Sequence, residues 1–496
     1  MSQLLLAANF FAIAELVFVG RQAPADEPTK TYAVSAFGAK GDGRTDDWWA
    51  FQQAINAADA GHGGVVLVPS SNAGYRISQA LRLRDKVIVR VSDDQTRIYC
   101  TGDASGQWKD RDPTGADART LEQWPLNGCL VLGAYTSVNY ERAPAWKIMP
   151  VAAKALTIHF GESDSARSFS SGDIVVIESE SRFTIGKHSS NGYSVPSWAQ
   201  IDRVTDVSIG ANSIDLQYPV QTSLATGQLR KLTNTQLTML VADGSDSAIP
   251  MWATYEAGVI GGVWDSGSTR PFAAGGGALE CRVSPQNVLG FTGVGYANVV
   301  ARCRMSVGTE DIFGSPLELG HNSHDNLVTV SHVLVEKTSG QGWYFAADEA
   351  SRDNIVHISS IDVGSSAGSD LIHLERTSGN CFEVDSAVGD AISRSTIGVY
   401  SYLPTEDQPP TSDNSIIVYS SNIKSQLRYV TLNGSKVVNN TLMVGSLSGL
   451  TTDSGGRRGY FMQAGAGNIV KKLLGENGGT PLDSGSPHCA SGDTAN

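Results

Sequence analysis

One short segment recurs along the chain, and it limits the folds that the chain can adopt. Each copy is an Asn followed by a strand-like run in which the second and fourth residues after the Asn are apolar. The copies begin at Asn326, Asn354, Asn380, Asn414 and Asn440. They are separated by 28, 26, 34 and 26 residues, and Asn298 lies another 28 residues upstream of the first copy. Such a period, with Gly and Ser clusters and no helical pattern between the strands, predicts stacked coils of strand and turn.

The repeated Asn has a physical explanation. Asn tolerates the left-handed backbone that a tight turn needs, and its amide can hydrogen-bond to the equivalent amide one coil away. We therefore expect Asn326, Asn354 and Asn380 to stack in one column. The longer interval before Asn414 contains three prolines within residues 403–413, which predicts a loop on the side of the coil stack.

The N-terminal part combines several motifs in a fixed order. A strand ends at Phe37, a glycine turn follows, and a helix is predicted from near Asp47 until Gly61–Gly64 stops it. The motifs are Phe37-Gly38-Ala39, Gly41-Asp42-Gly43, Thr45-Asp46-Asp47, Gln53-Ala54-Ile55, and Gly63-Gly64 with the strand that runs to Pro69. This block resembles the N-terminal segment of the pectate-lyase-like superfamily, which includes phage tailspike depolymerases and polysaccharide hydrolases, lyases and epimerases.

The resemblance implies an all-β chain folded as a right-handed parallel β-helix. It also implies a capping helix over the first coil, turn and cap roles for Asp42, Asp46 and Asp47, a polysaccharide substrate, and a homotrimer outside the cell or on a virion surface. The polygalacturonase and pectate-lyase catalytic motifs are absent from the sequence. The resemblance therefore leaves the reaction type open.

The sequence also predicts how the chain is divided. We expect an adaptor or leader in residues 1–30, the β-helix in 31–470, and a flexible tail in 471–496. Period-two alternation in 172–179 and 204–220 predicts a small antiparallel unit inserted at about 168–233. The apolar run near the N-terminus has no preceding Lys or Arg and is interrupted by Glu15, so the pattern of a cleaved signal peptide is incomplete.

Charge and cysteine usage exclude several kinds of partner. The formal net charge of −13 argues against nucleic acid, which needs clustered Lys and Arg. No segment after the N-terminus approaches the roughly 18 apolar residues of a membrane span, so we expect no membrane insertion. The six cysteines lie far apart without zinc-like spacing, and we expect no metal and no cofactor. Buried free thiols or disulfides both fit that spacing.

A candidate active site follows from aligning three coils on Ser323, Ser351 and Ser378. Strand alternation then gives two neighbouring outward columns. One contains Glu318, Ala346 and His373, and the other contains Gly320, Asp348 and Glu375. Neighbouring coils lie about 4.8 Å apart, and glycoside hydrolysis needs two carboxyls roughly 5 to 9.5 Å apart. We expect the catalytic residues to be Asp348, Glu349, Glu375, Glu318 and His373.

Further residues around these coils are expected to bind the substrate. They are His321, Arg376, Trp343, Tyr344, Glu310, Asp311 and Asp265. The same acids also fit an ordinary solvated face, and Arg376 also fits a simple ion pair with Glu375 or Glu349. A β-eliminating lyase acting on a uronate glycan, or a non-catalytic glycan-binding spike or adhesin, remains an alternative to the hydrolase.

Overall fold

The structure is a computed structural model of the full chain. It describes residues 30–101, 128–133, 144–185, 193–232, 235–240, 246–251, 253–266, 270–274, 277–290, 296–298, 300–312, 317–320, 322–335, 345–365, 370–392, 394–401, 409–426, 428–450 and 460–472.

Most of the described chain winds into a parallel β-helix of about 10 turns. A large sheet of 18 described strands extends around a bend of the coils, since most coils contribute two successive strands to it. Its strands are Thr31–Ala33, Gly64–Val68, Tyr75–Ile77, Val87–Val91, Arg97–Cys100, Gly258–Ile260, Val263–Asp265, Arg282–Ser284, Asn287–Gly290, Arg304–Val307, Thr309–Ile312, Leu327–Val330, Val333–Val335, Ile355–Ser365, Cys381–Ala391, Ser415–Gln426, Thr441–Leu450 and Ile469–Lys472.

A second parallel sheet of ten described strands forms another face. Its strands are Leu81–Leu83, Gly128–Leu132, Arg270–Ala274, Tyr296–Asn298, Leu317–Gly320, Phe345–Asp348, Asp370–Glu375, Ser395–Tyr400, Arg428–Gly434 and Tyr460–Ala464. Short strands lie in the turns between the two sheets: Thr254–Tyr255, Ala278–Leu279, Val300–Ala301, Thr411–Ser412 and Val437–Val438. Crossovers between parallel strands are right-handed in nearly all proteins, and the fold is the predicted right-handed parallel β-helix.

The Asn column is present as predicted. The side-chain amide of Asn354 donates to Asn380 Oδ1 at 2.8 Å, and that of Asn326 donates to Asn354 Oδ1 at 2.8 Å. The column continues through Asn414 and Asn440 to Asn468. Asn298 lies in the ten-stranded sheet, outside the column. Cys303 occupies the equivalent position one coil before Asn326, and its main-chain N–H donates to Asn326 Oδ1.

The expected backbone explanation for the Asn residues was wrong. The left-handed residue is the one immediately before each Asn, as at Asp325, Asp353 and Asp413, which have φ of 55°, 54° and 57°. The Asn itself begins the following strand. It is retained because its amide can bridge two coils, and the preceding short polar residue makes the turn.

The capping helix spans Trp48–Ala60 and buries Phe51 and Ile55 against the first coils. Asp47 accepts the main-chain N–H groups of Lys40 and Gly41, so it has the turn role that the resemblance implied. Two short 3₁₀ helices, Val34–Phe37 and Ser165–Ser168, complete the helical content of the described residues.

An antiparallel unit, here called the insert, interrupts the coils. Its six-stranded sheet comprises Ala145–Ile148, Thr157–His159, Ile174–Ser179, Ala199–Ser208, Ser213–Leu216 and Gly227–Lys231. Two hairpins accompany it, Arg182–Ile185 with Tyr193–Pro196, and Thr235–Leu240 with Asp246–Met251. The sheet starts at Ala145, earlier than the 168 expected from alternation, and it has a hydrophobic core of its own.

Candidate functional site

The strands that carry the predicted outward columns pair with one another in the expected register. Ala346 lies between Glu318 and His373, and Asp348 pairs with Glu375 on the next coil. We call Asp348, Glu349, His373, Glu375 and Arg376 the strand-end cluster, because they lie where strands of the ten-stranded sheet end. The turn after Asp348 holds one extra residue, so Ser378 pairs with Arg352, one position beyond the predicted Ser351.

The expected exposure of the strand-end cluster was wrong. Asp348 is 7% exposed, His373 1%, and Glu349 and Arg376 are also buried. The insert packs against these turns, with the Arg376 guanidinium 6.0 Å from the centre of the Phe183 ring. Strand alternation predicts which side of a sheet a residue occupies, but it does not predict what packs over that side.

Within the strand-end cluster, His373 is the centre of an ionic network. Its Nδ1 lies 3.3 Å from Asp370 and its Nε2 lies 3.6 Å from Glu375, while the ring stacks on Tyr400. Burial alone would lower the pKa of His373, but the two carboxylates outweigh it, and the pKa lies above its usual value.

Glu375 is the carboxylate most affected by that network. Burial acts to raise the pKa of Glu375, but His373 and the Arg376 guanidinium, 3.2 Å away, hold it below its usual value. Arg376 therefore forms an ion pair with Glu375, which was the expected alternative to substrate binding.

A second set of contacts fastens the insert to the turns of the β-helix. Arg352 donates to the Gln221 side chain at 3.0 and 2.7 Å, and Gln221 donates to Asp325 at 2.6 Å. His324 is fully buried and accepts the main-chain N–H of Ile201 at 3.4 Å. We call this contact region the insert seam. Local sequence patterns do not reveal it, because its partners lie more than a hundred residues apart.

Three further predicted residues lie on strands of the large sheet, away from the strand-end cluster. Glu310 and Asp311 lie on the strand Thr309–Ile312. Asp265 lies on another strand of that sheet and contacts Arg97 at 3.7 Å. His321, Trp343 and Tyr344 lie outside the described residues. The strand of Glu318 is described, but its side chain is not.

The structure reveals a polar cluster that the sequence reasoning missed. His357, Glu383, Asp385 and Tyr419 project from three successive strands of the large sheet on its outer side, and we call them the sheet-face cluster. Their inward neighbours, such as Val356 and Val384, belong to the hydrophobic core. The side chains of His357 and Asp385 are 31% and 47% exposed, so a solute can reach this cluster.

The two carboxylates of the sheet-face cluster have different neighbours. The Nε2 of His357 lies 3.2 Å from both Asp385 oxygens, and the Tyr419 hydroxyl donates to Glu383 at 2.6 Å. Burial acts to lower the pKa of His357, but Asp385 and Glu383 outweigh it and raise the pKa above its usual value. Burial raises the pKa of Tyr419, and Glu383 raises it further, so Tyr419 stays protonated.

The spacing of these carboxylates suits sugar chemistry. Glu383 and Asp385 occupy alternate positions of one strand, whose Cα atoms lie about 6.6 Å apart on one face. That separation falls within the roughly 5 to 9.5 Å over which paired carboxyls cleave glycosidic bonds. Within the described residues, no group of three or more His, Cys, Asp or Glu side chains has the arrangement of a metal site.

No protein-family model matches the chain. Alginate lyase 7 of Azotobacter vinelandii is 41% identical over 76 residues, a match that spans 15% of this chain and 8% of the lyase. In the described part of the chain, no helix is long and apolar enough to cross a membrane.

Several solved structures have a similar architecture. The tailspike gp49 from Pseudomonas phage LKA1 is 13% identical with a TM-score of 0.37, covering 89% of this chain and 78% of that one. The tailspike gp61 of Pseudomonas phage phi297 is 11% identical with a TM-score of 0.36, covering 85% and 75%. The surface adhesin PfbA of Streptococcus pneumoniae is 11% identical with a TM-score of 0.34, covering 92% and 96%. The parallel registers and the stacked Asn column of this chain itself identify its fold as a right-handed parallel β-helix.

Proposed function

We propose that this protein binds a polysaccharide along the outer face of its β-helix and cleaves it by glycoside hydrolysis at the sheet-face cluster. The observation that carries the proposal is the pair of reachable carboxylates, Glu383 and Asp385, each with its own hydrogen-bonding partner. The short similarity to an alginate lyase supports a polysaccharide as the ligand class.

The two carboxylates have different neighbours, and we assign them different roles in hydrolysis. Asp385 lies 3.2 Å from the Nε2 of His357, a ring whose pKa Asp385 and Glu383 raise above its usual value. We assign Asp385 the role of nucleophile or base. Glu383 accepts a hydrogen bond from the Tyr419 hydroxyl and lies beside His357 of the neighbouring strand, and we assign it the proton donation to the leaving sugar oxygen.

The strand-end cluster is our second proposal for the same reaction. The register of Asp348 with Glu375 places two carboxylates on adjacent coils, which is also a workable spacing. Its burial makes it harder for a polymer to reach, and we therefore rank it second.

A matched set of amide variants tests the proposal. Glu383→Gln and Asp385→Asn are each expected to lower turnover at least about a hundredfold, because each removes a group that transfers a proton or attacks the sugar. Asp362→Asn changes a carboxylate elsewhere on the same sheet and is the control, with turnover unchanged. Turnover is measured as new reducing ends on a panel of bacterial capsular polysaccharides, exopolysaccharides and uronans.

The same assay separates the alternatives. Loss of turnover in Asp348→Asn, Glu349→Gln or Glu375→Gln, with Glu383→Gln and Asp385→Asn unaffected, would move the site to the strand-end cluster. New reducing ends together with absorbance of unsaturated uronate mean a β-eliminating lyase, and hydrolysis would be refuted. Binding without new reducing ends across the panel means a non-catalytic spike or adhesin.

The proposed location is outside the cell or on a virion surface. Cys100 and Cys129 form a disulfide, which fits an oxidising compartment.

A further inference from the structure

Cys281 and Cys303 occupy the two positions of the Asn column that precede Asn326. The strands that follow the two cysteines are paired in register on neighbouring coils. The main-chain N–H of Cys281 donates to Cys303 Sγ at 3.2 Å, as the main-chain N–H of Asn326 donates to Asn354 Oδ1 at 3.1 Å. Cys303 therefore takes the place of an Asn in the column, with its sulfur as the acceptor.

The geometry of these two positions suits a disulfide. Neighbouring coils lie about 4.8 Å apart, and the Cα atoms of bonded cysteines usually lie about 4.4–6.8 Å apart. Both cysteines are free thiols in the structure. Cys281 is buried, whereas Cys303 is partly exposed. A solute therefore reaches the two sulfurs from the side of Cys303.

The residues immediately before the two cysteines hold the insert. The Tyr218 hydroxyl donates to the Glu280 carboxylate, and the Arg302 guanidinium lies 3.8 Å from the centre of the Tyr218 ring. We call Glu280 and Arg302 the tyrosine clamp. Its two side chains come from neighbouring coils, so a bond between Cys281 and Cys303 would fix them relative to each other.

We infer that Cys281 and Cys303 are a redox pair, which an exogenous disulfide oxidises to a disulfide between two coils that holds the tyrosine clamp together. The Cys303 thiolate attacks one sulfur of the exogenous disulfide and expels a thiolate, which leaves a mixed disulfide on Cys303. The Cys281 thiolate then attacks Cys303 Sγ and expels the second thiolate. Two protein thiols are oxidised, and their two protons complete the two thiols released from the reagent.

This redox pair is separate from the sheet-face cluster. Cys303 lies three coils before the strand that carries Glu383, a distance of about 14 Å along the β-helix. The inference therefore does not rest on the proposed hydrolysis, and its tests use no polysaccharide.

The conditions of the test follow from the state of the Cys303 thiol. Burial raises the pKa of Cys303 well above its usual value, and its hydrogen bond with the Cys281 thiol raises the pKa further. Only the thiolate attacks a disulfide, so the oxidation is run at pH 8.5.

Peptide mapping of the full-length protein tests the bond. The protein is incubated with oxidised glutathione, its remaining thiols are alkylated during unfolding, and it is digested with pepsin in acid, where disulfides do not exchange. Trypsin is avoided because Arg302 and Arg304 flank Cys303. A cross-linked pair of peptides carrying Cys281 and Cys303 is expected to accumulate as their alkylated forms disappear. Recovery of both as thiols, or of either joined only to glutathione or to another cysteine, would overturn the inference.

Amide hydrogen exchange tests the effect on the tyrosine clamp. The main-chain N–H of Tyr218 donates to Asp202, and its exchange is expected to slow at least about threefold when the wild type is oxidised. The matched control is Cys303→Ser, whose hydroxyl can still accept from the Cys281 N–H but cannot form the bond. Cys281→Ser removes the other thiol, and oxidised glutathione should leave exchange unchanged in both variants. No slowing in the oxidised wild type, or equal slowing in the variants, would contradict the inference.

Discussion

At the scale of single residues, the Asn column shows how one side chain can join three coils. Asn380 is fully buried and donates from its amide to Asn414 Oδ1 and to the Thr377 hydroxyl. Its own Oδ1 accepts both the main-chain and the side-chain N–H of Asn354. Each Asn of the column thus provides hydrogen-bond partners for polar groups that a buried turn would otherwise leave without any. An unsatisfied buried polar group typically costs about 1–3 kcal/mol of stability.

Asn380→Asp is therefore expected to destabilise the protein by at least about 2 kcal/mol. The carboxylate keeps the acceptor for Asn354 but loses the amide donors and faces the Asn414 oxygen. The free energy of unfolding is measured in guanidinium. Asn72→Ala, at an exposed position, is the control and is expected to shift it by less than about 0.5 kcal/mol. Equal stability of both variants would contradict a structural role for the column.

At the scale of elements, the insert seam depends on an uncharged histidine. Because Nε2 of His324 accepts from Ile201, the proton lies on Nδ1, which donates to Asp325 at 2.8 Å. Burial, reinforced by the charge of Arg352, lowers the pKa of His324 to about 4. The sequence did not single out this residue, since its role arises from contact with a distant strand.

The lowered pKa has a definite consequence for stability. An unfolded His titrates near 6.5, so between about 6.5 and about 4 the unfolded chain binds the proton more strongly. The stability supplied by neutral His324 is present above that window and is lost as the pH falls through it. His324→Gln cannot titrate, so its stability should vary less with pH in this window, by up to a few kcal/mol.

The measurement is the difference in unfolding free energy between the two proteins at pH 7 and pH 4.5. Taking the difference removes the contribution of Asp202, also in the insert, whose pKa burial raises to about 7 and which acts in the opposite sense. Parallel stability curves for the two proteins would mean that His324 is not held neutral.

The contrast between the two clusters shows what the sequence could predict. The repeat predicted the coils, the Asn column and the register of Asp348 with Glu375, because these follow from local periodicity. It could not predict that Asp348 of that register pair is buried. The sheet-face cluster was within reach, since the third residue after each Asn brings His357 and Glu383 together, and the fifth brings in Asp385 and Tyr419.

At the scale of the whole molecule, each coil contacts mainly its neighbours. The free energy of folding is therefore close to the sum of the contributions of single coils and of the contacts between neighbouring coils. The sides of the stack are left available for association. Val388 and Ile469 project from the large sheet and are 39% and 44% exposed, which is unusual for large apolar side chains.

We predict that the protein is a homotrimer that buries these side faces. Sedimentation velocity at micromolar concentration is expected to show a species of about three times the chain mass of 52.5 kDa. Val388→Asp is expected to shift the population toward monomer, because a charge at an interface must lose its hydration. Leu156→Asp, at a 48% exposed position of the insert, is the matched control and should leave the mass unchanged. A wild-type monomer under these conditions would refute the trimer, and equal effects of the two variants would place the interface elsewhere.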